Sequence, residues 1–316
     1  MQGLVTVFGG SGFIGAPVVR ALAKRGHRVR VAVRQPNLAY RMRMLGDVGQ
    51  IEVVQANIRV PSSLTDALDG AQGCVNLVGV LYSAGRQSFD AVHVDGARNV
   101  AEAAKAAGAT RLVQVSAIGA DANGAAKYAR SKAAGEAAVR AAFPDATILR
   151  PSVVFGPEDG FFNRLGAMSA APVMPVIGGD TRLQPVFVGD VAAAAANAFS
   201  DPASAGAVYE LGGPSIYTMK ALVELICRET GRHPLRLALP FGLASLIGVG
   251  GDILPALAPI TTDQVTLLRS DNVVAAGALG LADLGVTAPT TVEAIAPSYL
   301  YRYRKGGQYA EALAAG

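Results

Sequence analysis

The sequence predicts an α/β fold, a doubly wound parallel sheet with a smaller, mixed C-terminal lobe. Three observations carry that expectation. Short apolar runs alternate with helix-like segments through the first half of the chain, which places parallel strands between flanking helices. A glycine-rich run follows the first apolar run and opens the first helical one. After Arg150-Pro151 the rhythm breaks into a stretch rich in Gly and Pro.

Taken in order, residues 4–8 (Leu-Val-Thr-Val-Phe) read as the first strand, followed by the glycines and a helix to about Arg25. Residues 28–33 read as a second strand and 51–55 as a third. A helix over 64–68 is expected to be capped by Ser62 or Ser63. Residues 74–78 form a fourth strand, and an Ala-rich helix over 93–107 stops at Gly108. A fifth strand over 112–115, a helix over 128–142 and a sixth strand over 147–149 complete the alternation. Beyond it, 185–188 suggests another strand and 190–199 another helix. Later helices are expected over 219–228, 242–246 and 262–269. The expected domains are therefore 1–155, rejoined by about 180–213; a lobe from 156–179 and 214–298; and a basic aromatic tail over 299–316. In such folds ligands bind at the C-terminal strand ends, where the lobe would form a lid.

Composition narrows the class. With 316 residues, 51% hydrophobic and 16% charged, the chain is too apolar to be disordered. Its glycines follow no collagen or solenoid period. The net charge is +4, unevenly spread: no Asp or Glu precedes Asp47, while Arg20, Lys24, Arg25, Arg28, Arg30, Arg34, Arg41 and Arg43 do. A second basic run, Arg302, Arg304 and Lys305, is interleaved with Tyr299, Tyr301, Tyr303 and Tyr309. Such surfaces suit phosphates, anionic lipid or acidic partners. No helix-turn-helix or aromatic RNA platform is visible, so no nucleic-acid partner is expected. Cys74 and Cys227 have no metal-ligand spacing, and a reducing compartment without disulfides is expected. Met1 runs almost directly into a strand, so no signal peptide is expected. The uncharged run Leu237 to Gly251 is too short to span a bilayer, which points to a soluble or membrane-peripheral protein.

Gly10-x-Gly12-x-x-Gly15, overlapping Gly9-x-x-Gly12-x-x-Gly15, has the spacing of a Rossmann dinucleotide loop. The chain must turn sharply, let a pyrophosphate approach the backbone, and pack helix on strand. The helix N-terminus then faces the phosphates. Cofactor choice turns on the end of the second strand, where NAD sites place an acid. Here Arg34 stands there, and a guanidinium pairs with a 2′-phosphate that a carboxylate would repel. Arg41 and Arg43 are candidate helpers. NADPH is thus preferred over NADH, with Gly9, Gly12, Phe13, Ile14, Gly15, Arg34 and Asn57 as cofactor-binding candidates.

Tyr128 and Lys132 lie four apart at the start of a helix and share a face. Ser116 ends the fifth strand. In a reductase Tyr128 would move a proton, Lys132 would lower the tyrosine pKa and hold the nicotinamide ribose, and Ser116 would hydrogen-bond a carbonyl. Tyr128 and Lys132 therefore also belong to the cofactor site. His27, His93 and His233 read as structural or exposed.

The loop, Ser116, Tyr128/Lys132, residues 149–157 (Leu-Arg-Pro-Ser-Val-Val-Phe-Gly-Pro) and 187–191 (Phe-Val-Gly-Asp-Val) together resemble an atypical or extended short-chain dehydrogenase. Within that superfamily, residues 40–51 (Tyr-Arg-Met-Arg-Met-Leu-Gly-Asp-Val-Gly-Gln-Ile), 75–79, 127–136 and 143–146 are similar to the nucleotide-binding accessory subunit of respiratory complex I. That resemblance implies a subunit that holds NADPH and serves assembly or stability without turnover, with any Ser116/Tyr128/Lys132 chemistry vestigial. It also implies partners among the complex I subunits and a peripheral place close to the membrane and the quinone site; with no targeting segment visible, the expectation is the cytoplasmic face of the inner membrane of a bacterium. A free NADP-dependent oxidoreductase or sugar-nucleotide epimerase/dehydratase using the same three residues is the alternative. For the latter only Arg182 and Asn163 offer themselves as sugar-nucleotide ligands. A regulator that reads NADPH without chemistry is a third possibility, with no supporting signature. The apolar stretch from Leu237 to Ile260, with Leu239, Leu243, Leu246 and Ile247 at helical spacing and then Ile253, Leu254 and Leu257, reads either as lobe core or as a face on lipid or a membrane subunit. The Tyr-rich tail would suit an anionic headgroup surface.

Overall fold

The computed structural model describes residues 2–253 and 260–307. They fall into two compact units. The larger gathers the chain up to Pro151, Val188–Leu211 and Ala275–Thr287; the smaller gathers Ser152–Phe187, Gly212–Val274 and the chain from Ala288 onward.

In the larger unit, strands β1 (Gln2–Phe8), β2 (His27–Val33), β3 (Ile51–Gln55), β4 (Gly73–Asn76), β5 (Arg111–Val115) and β6 (Thr147–Pro151) join the Val208–Leu211 strand in one parallel sheet. The order runs from Val208–Leu211 through β6, β5, β4, β1 and β2 to β3. The strand order reverses between β1 and β4, so the ligand crevice of this fold lies beyond their C-terminal ends. The central strands are near-continuous apolar runs because helices cover both their faces. Helix α1 (Gly15–Lys24) buries Val18, Val19, Leu22 and Ala23. Helices α2 (Ser62–Leu68), α3 (Gly96–Ala106) and α4 (Lys127–Ala142) add Leu64, Val100, Ala101, Ala104 and Val139 to the core. Alanine on the inner faces brings helix and sheet together closely.

Three details depart from expectation. Pro61, not a serine, precedes α2, and Ser63 instead bonds back to the carbonyls of Asn57 and Val60. The helix expected from His93 begins as a wide π-type turn over Asp90–Asp95 and becomes α-helical only at Gly96. Residues 275–287, expected in the lobe, belong to the larger unit: Ala275 N–H donates to Glu210, and Glu210 N–H to the Leu279 carbonyl.

The smaller unit packs the helices Phe162–Met168 and Met219–Thr230 around Phe155, Met174, Leu222, Val223, Ile226 and Leu300. Thr218 caps the second helix at its start, and Gly231, at φ 61°, ends it in the left-handed conformation. Tyr299 is fully buried, and its hydroxyl donates to Asp159 at 2.9 Å. Tyr303 donates to Asn163, and Arg304 to the Glu229 carbonyl. The tail expected from residue 299 therefore starts as lobe core at Tyr299, with Tyr303 half-buried and Tyr301 exposed. Tyr309 lies outside the described residues.

The helix Phe241–Ile253 turns its small residues inward. Ala244, Gly248 and Gly251 are buried, while Leu243, Leu246, Ile247 and Val249 are exposed. A Cβ on Gly251 would stand 2.0 Å from the Ile260 carbonyl oxygen, so this face approaches its neighbour as bare backbone. The leucines at helical spacing are thus a surface, not a core; Leu254 and Leu257 lie outside the described residues. Among the described residues no helix is long and apolar enough to cross a membrane.

Candidate functional site

The glycine run forms a tight turn after β1, and Gly9, Gly10 and Gly15 are held to glycine for different reasons. Gly9 sits at φ 76°, in the region that disfavours side chains, and its carbonyl accepts from Gly12 N–H at 3.1 Å. A Cβ on Gly15 would stand 2.2 Å from the Gly9 oxygen and 2.7 Å from Gly10 backbone atoms, which cannot yield. On Gly10 it would press on Val19 and Val31. Phe13 and Ile14 are half-buried at the entry to α1, and no side chain caps that helix N-terminus. This cradle fits a dinucleotide pyrophosphate: backbone amides and a helix dipole, with no side chain in the way.

Arg34 follows β2 on the exposed surface, where Nη1 donates to Gln87 at 2.9 Å. Among the described residues no carboxylate pairs with it, so its charge is available to an anion. Asn57 is differently occupied. Its Oδ1 accepts from Arg59 N–H and its own N–H donates to Ser63, so it builds the turn into α2.

At the far end of the crevice strands, β5 delivers Ser116 and α4 delivers Tyr128 and Lys132. The Lys132 ammonium lies 5.8 Å from the Tyr128 ring centroid and donates to the Val115 carbonyl at 3.4 Å. Ser116 Oγ is buried, has no hydrogen-bond partner among the described residues, and belongs to the lining of a small pocket with Val78, His93 and Lys132. One helical turn on, Glu136 forms a two-pronged ion pair with Arg150, at 2.9 and 2.7 Å. The structure thus brings Ser116, Tyr128 and Lys132 together.

Its electrostatics reverse one expectation. Burial pushes the Tyr128 phenol up to about 12, where a lowered value was expected from Lys132. Burial also brings Lys132 down to about 8, against the pull of Glu136. Low dielectric disfavours both charged forms, and that outweighs the cation beside the phenol.

His93, read from the sequence as structural or exposed, lies beside this corner. It is buried, stacked on Phe89 at 5.4 Å and edge-on to Tyr128 at 5.5 Å. Nε2 accepts from Val80 N–H at 3.0 Å, so in the neutral ring Nδ1 carries the proton, 2.9 Å from Ser131 Oγ. Burial first and the Lys132 charge second hold its pKa down at about 3. Only the wide turn over Asp90–Asp95 brings it there, and a lone histidine gives no sequence signal of that. His27 is buried against Phe199 and His233 is exposed. Of the two sugar-nucleotide candidates, Arg182 pairs with Asp271 and Asn163 is engaged by Tyr303 and the Asp159 carbonyl. Both cysteines are free and buried, and no cluster suited to a metal occurs among the described residues.

Residues 9–202 match the NAD(P)H-binding family. The chain is 35% identical over 321 residues to NADH dehydrogenase [ubiquinone] 1 alpha subcomplex subunit 9 of Arabidopsis thaliana, covering 97% of this chain and 80% of that protein. The chain belongs to that NAD(P)H-binding family of complex I subunit 9 proteins. The chain is also 40% identical over 196 residues to the ceramide reductase of Caulobacter vibrioides, 61% of this chain and 59% of that one. The fold is also that of the NADPH-dependent quinone oxidoreductase of Escherichia coli solved with NADPH, with a TM-score of 0.76, 24% identity, and 94% and 99% of the two chains covered. Within the family's NAD(P)H-binding region lie the glycine cradle, Arg34, Ser116, Tyr128 and Lys132.

Proposed function

We propose that this chain is a cofactor-holding accessory subunit of a respiratory NADH:quinone oxidoreductase, which binds NADPH in preference to NADH and performs no turnover of its own. The observation that carries the reading is the pairing of a cradle closed to any side chain at Gly15 with the uncompensated Arg34 at the tip of β2. A 2′-phosphate accepts hydrogen bonds from a guanidinium, whereas the plain ribose of NADH does not exploit its charge. The near end-to-end likeness to the Arabidopsis subunit supports the assembly role. Its partners are other complex I subunits near the quinone site, on the cytoplasmic face of a bacterial inner membrane, with anionic lipid under the outward leucines of the Phe241–Ile253 helix. The test is native electrophoresis of detergent-solubilised membranes. The chain is expected to migrate with NADH:quinone oxidoreductase activity and to carry NADPH; migration apart from that activity would end the assembly reading.

A second reading is favoured by Ser116, whose buried hydroxyl lacks a partner, and by the likeness to a ceramide reductase. In it the chain is a free NADPH-dependent carbonyl reductase. Ser116 would hold a carbonyl oxygen, Tyr128 would give it a proton, and Lys132 would orient the ribose. The bound nicotinamide supplies the hydride. NADPH consumption with a long-chain ketone, abolished in Tyr128→Phe, would establish this reading over the first.

A further inference from the structure

The residues between Arg34 and Ile51 have a structure that neither the cradle nor the proton-transfer corner requires. Two short turns, Pro36–Leu38 and Tyr40–Leu45, are closed by Ala39 N–H to the Pro36 carbonyl and Met42 N–H to the Ala39 carbonyl, each at 2.9 Å. Ala39 and Met42 are buried. Gln50, also buried, ties the end of the segment down: its amide donates to the carbonyls of Ala23 and His27 at 2.7 and 2.9 Å, and its Oε1 accepts from Asp47 N–H at 2.8 Å. A Cβ on Gly46 would stand 2.6 Å from that Oε1, so glycine is what lets the chain close over it. The backbone is thus fastened to the larger unit. Its large apolar side chains nevertheless point outward: Leu38 is 70% exposed, Tyr40 52%, Met44 83%, and Val48 fully so. Arg43 lies over the Tyr40 ring at 4.9 Å, and Arg41 and Arg43 have no ion-pair partner among the described residues. No acidic residue occurs from Arg34 through Gly46.

We propose that this platform is a docking face for another protein, whose complementary surface is an apolar patch edged by carboxylates. It deepens the accessory-subunit reading by naming the face of the chain that meets its neighbour. Tyr, Met and Arg are the residue types enriched in interface centres, and an ordered backbone displaying them loses little entropy on binding. The charge decides between occupants. A second copy of the chain, meeting this face about a two-fold axis, would set Arg41 and Arg43 against their own counterparts. A bilayer is entered by an amphipathic helix lying along it, and these turns offer none. An acidic, apolar protein surface satisfies both the side chains and the charge.

The test uses the full chain in its native membranes, with three forms: wild type, Arg41→Glu/Arg43→Glu, and Leu38→Ser/Met44→Ser/Val48→Ser. Both variants change only exposed side chains, so melting temperature is expected to stay at the wild-type value in each. NADPH affinity is expected to stay there in the Leu38→Ser/Met44→Ser/Val48→Ser form, which touches none of the arginines that could reach a 2′-phosphate. Comigration with the NADH:quinone oxidoreductase is expected to fall at least about tenfold in each. Comigration of both variants at the wild-type level overturns the docking face while leaving the accessory reading intact. A wild type that never comigrates ends the accessory reading. The face is then decided by photo-crosslinking from a photoreactive phenylalanine in place of Met44. Crosslinks to carboxylate-rich peptides of one other protein, lost when Arg41 and Arg43 are reversed, uphold it. Crosslinks only to lipid or to a second copy, or charge-reversed variants that lose binding to phosphatidylcholine/phosphatidylglycerol vesicles, overturn it.

Discussion

The two ends of the nucleotide crevice are built from different material. The glycine cradle is backbone: side chains are disfavoured at Gly9 and excluded at Gly15, and its amide groups carry no titratable charge. The Ser116/Tyr128/Lys132 corner is side chain, and burial controls it. The same low dielectric that would strengthen a bound ligand's hydrogen bonds pushes the Tyr128 phenol to about 12 and Lys132 to about 8. One end is therefore indifferent to pH, and the other is tuned by it. Holding a dinucleotide needs chiefly the first; moving a proton needs the second.

The largest expected effect strikes the cradle. Gly15→Ala drives a Cβ into the Gly9 and Gly10 backbone and should weaken NADPH and NADH binding alike, by at least about a hundredfold, or ~2.7 kcal/mol, in a fluorescence titration. Unchanged affinity would break the backbone side of the comparison. Next comes Arg34→Gln. It should cost NADPH roughly 10- to 100-fold, the worth of about 1.5–3 kcal/mol of charge-assisted hydrogen bonding, and leave NADH unaffected.

The corner should respond through pH. Below about pH 8 the folded and unfolded chains both carry the Lys132 ammonium, and the folded state bears the cost of burying it. Between about 8 and the unfolded value near 10.5 the folded protein sheds that proton first, so the unfolded state binds more protons and stability rises with pH. Lys132→Met should remove that rise and stabilise the apoprotein at pH 7 by on the order of 2 kcal/mol, while weakening NADPH binding. Calorimetric scans from pH 7 to 10.5 check it, and a variant with a lower melting temperature at pH 7 would count against the account. His93, held at about 3 against 6.5 unfolded, works in the acid range. As pH falls from 6.5 the unfolded chain gains a proton that the folded one refuses, so stability declines toward pH 3. His93→Asn should flatten that decline, the smallest of these effects where other carboxylates titrate alongside it.

The comparison also explains what the sequence discloses. Central strands such as β1, β4 and β5 are near-continuous apolar runs and can be read directly, as can the alternating β2 and β3, and the glycine spacing encodes a backbone constraint that spacing alone expresses. Ser116, Tyr128 and Lys132 could be nominated because a four-residue step on a helix is local geometry. Their electrostatics could not, since burial is a property of the assembled fold. His93 reaches the corner through a wide turn that leaves no composition signal. Tyr299 looked like part of an aromatic tail and is lobe core, paired with Asp159 some 140 residues away. The leucines of the Phe241–Ile253 helix have core spacing, yet they face outward because glycine and alanine claim the inner face. In each case the deciding partner is distant in sequence.

Whether the crevice holds a phosphorylated dinucleotide is read most directly from the identity of the nucleotide released by mild denaturation from the natively isolated full chain, quantified by mass spectrometry. NADPH or its oxidised form is expected in near-stoichiometric amount, retained by wild type and absent from Gly15→Ala. A wild-type protein that releases no nucleotide and fails to take up NADPH at millimolar concentration would contradict it.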